Sequence, residues 1–205
     1  MTTKRIAVVA AGLSQPSSSR LLADRLADAT VAELERQGFE VEVTTIELRD
    51  LAQDVTNNLL TGFPSPRLES AIEKVTNADG LIAVTPIFTT SYSGLFKSFI
   101  DVLDPQSITG LAVLLGATGG TERHSLAIDY AMRPLFTYLH AVAVPTGVYA
   151  ASSDWGSADD ALAGRIGRAA SELAALAAAS DRSQRVVDPF ALPEGFSPVG
   201  SFGAQ

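Results

Sequence analysis

The sequence predicts a doubly wound α/β sandwich, and three features predict it: apolar runs without alternation, helical spacing between them, and turn residues at the junctions. The runs cover residues 6–11, 41–46, 80–85, 111–117 and 142–148 and are rich in Val, Ile, Leu and Ala. Strands of that composition are buried on both faces, as in a parallel sheet. Between them come Leu21, Leu22, Leu26 and Leu34; Leu68, Ala71, Ile72 and Val75; Leu95, Phe96, Phe99 and Leu103; and Leu126, Ile128, Met132, Leu135 and Leu139. Each set falls on one helical stripe. A fifth helix, rich in alanine, is expected over 158–179. Gly38 stands where the first helix should stop, and residues 77–80 part the second helix from its strand. Strand–helix units repeated five times, joined by right-handed crossovers, place helices on both faces of the sheet.

Bulk composition narrows the function. The chain has 205 residues, 46% of them hydrophobic, enough for one sizeable core; the expected layout is one domain over 1–180 and an extended tail over 181–205 that carries Pro189, Pro193 and Pro198. A net charge of −8 without a basic run leaves no electrostatic footprint for nucleic acid or anionic lipid. The absence of cysteine excludes disulfides, thiolate nucleophiles and Cys-ligated metals, and His124 and His140 stand in no metal-binding motif. Nothing at the start reads as a signal peptide and no apolar run reaches membrane-spanning length, so a cytoplasmic protein is expected.

In a doubly wound sheet, ligands bind beyond the carboxyl ends of the strands, which directs attention to three loops. The loop after the first strand, residues 12–20, holds Ser14, Ser17, Ser19 and Arg20. Hydroxyls, a guanidinium and a helix N-terminus together suit a phosphate monoester. Neither a dinucleotide fingerprint nor a Walker A loop is present. The loop after the third strand offers Pro86, Ile87 and Phe88 as an apolar surface, with amides from residues 88 to 91, including Thr89 and Ser91, for the edge of a flat heterocycle such as an isoalloxazine. The loop after the fourth strand carries Thr118, Gly119, Gly120 and Thr121, where backbone can approach a ligand and stabilise charge that develops on reduction; His124 follows. Each loop also has a purely structural reading: Ser17 as a helix cap, Phe88 and Tyr92 as core aromatics, Gly119-Gly120 as a tight turn, His124 in a local hydrogen bond.

Taken together, the loops resemble those of the NADPH-dependent FMN reductase family. The matches are Thr85-Pro86 with Ser91-Tyr92-Ser93-Gly94-Leu95-Phe96-Lys97-Ser98-Phe99-Ile100-Asp101, and Ala117-Thr118-Gly119-Gly120-Thr121 with His124 and Leu126-Ala127-Ile128-Asp129-Tyr130-Ala131-Met132-Arg133-Pro134. Within the family the chain is similar to the alkanesulfonate-type reductases and to the subgroup associated with luciferase-like monooxygenases. The resemblance spans residues 5 to about 150 and implies a flavodoxin-like sheet of order 2-1-3-4-5, FMN as ligand, NADPH or NADH as donor, and a homodimer or homotetramer. It also implies a flavin-dependent monooxygenase as partner. A tyrosine in the place of Tyr92 forms a π-bulge at the tetramer interface of alkanesulfonate-type reductases, linked there to dissociable flavin. The first loop departs from the family's G-S-x-R-x-x-S-x-[NS] pattern: it is shorter, with Gln15 where an arginine falls.

Hydride transfer from a stacked nicotinamide to FMN needs placement and fixed dipoles rather than an acid–base side chain, so no catalytic side chain is assigned. Two rivals stand beside this reading. One is a quinone or azo reductase with bound FMN; the other is a non-enzymatic flavodoxin-like electron carrier, whose usual T-x-T-G-x-T loop is missing here.

Overall fold

The computed structural model describes residues 2–155 and 161–184. A parallel sheet carries β1 (Thr3–Ala10), β2 (Glu40–Glu47), β3 (Gly80–Phe88), β5 (Ala112–Gly119) and the short β6 (Val142–Ala143) in the order β2-β1-β3-β5-β6. A two-residue β4 (Ser91–Tyr92) turns back antiparallel on β3, and β7 (Val148–Ala151) pairs with the far end of β5. The predicted 2-1-3-4-5 order is present, with its fifth strand divided into β6 and β7.

Helices α1 (Ser18–Arg36) and α6 (Ala161–Ala179) cover one face; α2 (Ala52–Thr61), α3 (Pro66–Thr76), α4 (Gly94–Asp101) and α5 (Arg133–Tyr138) belong to the other. Phe96, Phe99 and Phe136 anchor the second face without exposure, each stabilising by about 1.5–3 kcal/mol relative to an exposed ring. On the first, Leu22 and Leu26 of α1 pack with Val8 and Val84 of the sheet. Ser17 and Ser65 begin α1 and α3 by accepting the Arg20 and Leu68 amides.

Three expectations are corrected. The predicted strand over 142–148 breaks at residues 144–147, where Pro145 has no amide for the ladder. Arg133 donates to the carbonyls of Val144 (2.8 Å) and Pro145 (3.0 Å), and Glu172 accepts from the Thr146 amide and hydroxyl at 2.7 Å, so these groups of the break have partners. The predicted helix over 126–139 is present from residue 127 to 138, but it is not regular: it opens on a π-helical turn (Ile128–Met132) before α5, and a 3₁₀ turn (Glu122–His124) precedes it. Tyr92, finally, lies in β4 and not in a π-bulge; the π-helical turn is the one at Ile128–Met132. Of the predicted tail over 181–205, residues 185–205 lie outside the described residues. Its first turn, Arg182–Gln184, is clamped by Arg182 donating to the carbonyls of Thr76, Ser107 and Thr109.

Candidate functional site

β1 lies between β2, reached by one crossover, and β3, reached by the opposite one. The crevice beyond the strand ends therefore opens where the winding reverses. A cleft of ≈ 320 Å³ occupies that position. It is lined by Gly12, Leu13, Ser14, Ser17, Ser18 and Ser19 from the first loop, Pro86, Ile87 and Phe88 from the second, Thr118, Gly119 and Gly120 from the third, and Ser152 with Trp155 after β7. Among the described residues no charged side chain lines it.

Local sequence explains why the three loops meet. Ser19 and Thr118, both buried, share a hydrogen bond of 2.7 Å that ties the start of α1 to the end of β5. Gly12 is required because a Cβ there would overlap Ser17 Oγ. In the second loop, buried Thr85 accepts the Ser93 amide at 3.0 Å, and Ser93 caps α4 by accepting the Phe96 amide at 3.2 Å. Those contacts account for the Thr-Pro and Ser-Gly pairs of the sequence pattern: they fold β4 back on β3. The two-residue turn between them has Thr89 at φ 48° and Thr90 at φ 71°, left-handed conformations that β-branched residues rarely take. In the third loop Tyr149 donates to the Thr121 carbonyl at 2.7 Å, and a Cβ at Gly119 would collide with the Tyr149 hydroxyl. Burial first, then the carboxylates of Asp154 and Glu122, push the Tyr149 phenol up, which keeps it a donor.

The cleft thus gathers Ser14, Ser17, Ser19, Pro86, Ile87, Phe88, Thr118, Gly119 and Gly120 of the predicted residues. Ser17 is already an N-cap and Ser19 is bonded to Thr118, which leaves Ser14 and Ser18 as the exposed serines of the cleft lining. Six candidates, and Lys97 and Asp101 of the α4 motif, do not line it. Arg20 turns to Asp24 (2.7 Å) and Glu47 (2.6 Å), and these carboxylates hold its pKa above the ordinary value. Thr89 is at the exposed hairpin tip, Ser91 is on the return strand, and Tyr92 packs beside Phe96 with ring centroids 5.9 Å apart. Thr121 caps the 3₁₀ turn that contains His124. Lys97 and Asp101 pair with each other on α4. Ser152 and Trp155 lie beyond a further strand end, that of β7, outside the three loops expected from the sequence; a lone tryptophan directly after the fifth strand is their signal in the sequence.

Chemically, neutral donors at one end and the apolar wall of Pro86, Ile87 and Phe88 at the other complement a ligand with a phosphate and a flat heteroaromatic ring. A Cβ at Gly120 would meet nothing within 4 Å, so its backbone is open to the cleft. The donor set fits FMN. Among the described residues no cluster of His, Asp or Glu could hold a metal, and no helix is long and apolar enough to cross a membrane.

Comparison with known proteins agrees with the geometry. A family model described as NADPH-dependent FMN reductase matches residues 4–156. The chain is 34% identical to an FMN reductase (NADPH) of Pseudomonas aeruginosa over 151 residues, 74% of this chain and 78% of that protein. It is 35% identical over 172 residues to the NADH-dependent FMN reductase SfnE of Pseudomonas putida, 82% of this chain and 90% of the relative. An oxidoreductase of Corynebacterium diphtheriae superposes with a TM-score of 0.85 at 43% identity, over 88% of this chain and all of that one. The chain belongs to the NADPH-dependent FMN reductase family: it is a flavodoxin-like NAD(P)H:FMN oxidoreductase that uses FMN and a reduced nicotinamide.

Proposed function

We propose that this reductase handles FMN as a substrate that comes and goes, and that its reduced flavin serves a flavin-dependent monooxygenase of the luciferase-like kind. The observation that carries the reading is the open cleft, whose lining among the described residues holds no charged side chain and offers a phosphate hydroxyls and amides as its direct contacts. The relatives at 34% and 35% identity are themselves named for reducing FMN, whereas the rival quinone or azo reductase would keep FMN and reduce something else.

FMN, when bound, supplies the hydride acceptor. The chain's own part is placement. Ser14, Ser18 and the start of α1 would hold the phosphate, while Pro86, Ile87 and Phe88 would flank the ring. The amides around Gly119 and Gly120 would face the pyrimidine edge and oppose charge that develops there. Ser17, Ser19 and Thr118 keep these loops in register, and Thr89, Ser91, Tyr92, Thr121 and His124 support the cleft from outside.

We further propose that the protein works in the cytoplasm as a homodimer or homotetramer. Leu60, Phe63, Tyr130 and Tyr138 are each more than three-quarters exposed, on elements that pack against the same face of the sheet, and a second copy would cover them. The test of the substrate reading is gel filtration of the protein mixed with FMN at micromolar concentration. Flavin that elutes apart from the protein supports it; a yellow protein peak at one FMN per chain overturns it.

A further inference from the structure

We propose that Arg25, held on the indole of Trp155, is the cation that meets the flavin phosphate. This inference rests on the FMN reading above. A phosphate monoester carries between one and two negative charges at neutral pH, and the chain itself carries −8, yet no charged side chain of the described residues lines the cleft. A guanidinium just behind the lining is the means by which such a site would attract FMN more than riboflavin.

Three arginines stand around the first loop, and two are engaged elsewhere. Arg20 is shared by Asp24 and Glu47. Arg49 donates to the Gln15 carboxamide, which lies outside the cleft lining, and pairs with Asp50 at 3.4 Å. Arg25 differs from both. Its guanidinium lies 5.2 Å from the centroid of the Trp155 ring, and no carboxylate among the described residues reaches it.

Position favours the same residue. Arg25 follows Ser18 by seven residues on α1, two helical turns along the same face. Trp155 lines the cleft beside Ser17, Ser18 and Ser19. It is also fixed in place, because Asp154 next to it accepts the Ala151 amide at 2.8 Å and lies 3.9 Å from Arg165. An indole face steadies a guanidinium without neutralising it, so the charge and the N–H fork stay available to an anion.

Trp155 is the only tryptophan in the chain, so its emission reports on this site alone. Wild-type protein titrated with FMN should show saturable quenching of that emission. Arg25→Gln, at an exposed position that the fold does not need, should weaken FMN binding about tenfold, leave riboflavin binding unchanged, and lose most of the difference at high salt. Arg25→Lys should recover part of the affinity. Trp155→Leu, followed by flavin fluorescence, should discriminate between FMN and riboflavin as poorly as Arg25→Gln, and the double variant should lose little more. A wild-type FMN-to-riboflavin preference in Arg25→Gln overturns the proposal and leaves the FMN reading intact. A wild-type protein that shows no saturable FMN binding overturns both.

Discussion

Ser19 Oγ and Thr118 Oγ1 lie 2.7 Å apart in the interior, and this one hydrogen bond joins the start of α1 to the end of β5. Ser19→Ala leaves the Thr118 hydroxyl buried without its partner and should cost about 1–3 kcal/mol of stability, read as an earlier urea midpoint at unchanged slope. Ser14→Ala, at an exposed hydroxyl, should leave the midpoint alone and weaken FMN more than riboflavin. Equal behaviour of the two variants would contradict the division of labour between buried and presented serines.

The hairpin between β3 and β4 supplies a second prediction. Thr89 and Thr90 hold left-handed conformations for which Asn-Gly is the usual choice. Replacing them together, Thr89→Asn with Thr90→Gly, should raise stability by about 1 kcal/mol. A lowered thermal midpoint would show that the threonine side chains themselves hold the turn.

Arg133 closes the gap in the fifth strand through two carbonyls and also pairs with Asp129 at 3.0 Å. Arg133→Ala should cost about 2–3 kcal/mol, since the Val144 and Pro145 carbonyls lose a charged donor. Chemical denaturation measures this, and wild-type stability would assign the break to Glu172 alone.

Tyr149 predicts an alkaline dependence. Its folded-state pKa is raised above the ordinary 10.0, so the folded chain holds the phenolic proton more tightly than the unfolded chain. The resulting stabilisation is complete below about pH 10 and is lost as pH rises through the folded value. Tyr149→Phe should remove this part of the alkaline decline in unfolding free energy. An identical pH profile for the variant would refute the role.

Much of this was legible in the sequence because burial on both faces writes a parallel strand as an unbroken apolar run, and β1, β3 and β5 each show one. Less legible was α2, whose only buried residue is Val55. Pro145 marks the split of the fifth strand locally, but the Arg133 and Glu172 contacts that satisfy the break come from other helices and no local pattern announces them. In the site, the loop positions followed from topology, but the roles of single side chains did not. Arg20 looked like a phosphate ligand until Glu47, 27 residues away, was seen to take it. Trp155 waited on knowledge that β7 ends at the same crevice as β1.

The most direct test of the account is steady-state oxidation of NADPH and NADH by the purified protein while free FMN is varied. A rate that climbs from near zero and saturates with added FMN is the result this account predicts. A yellow protein that turns over only when a quinone or azo compound is added, with no response to free FMN, would contradict it.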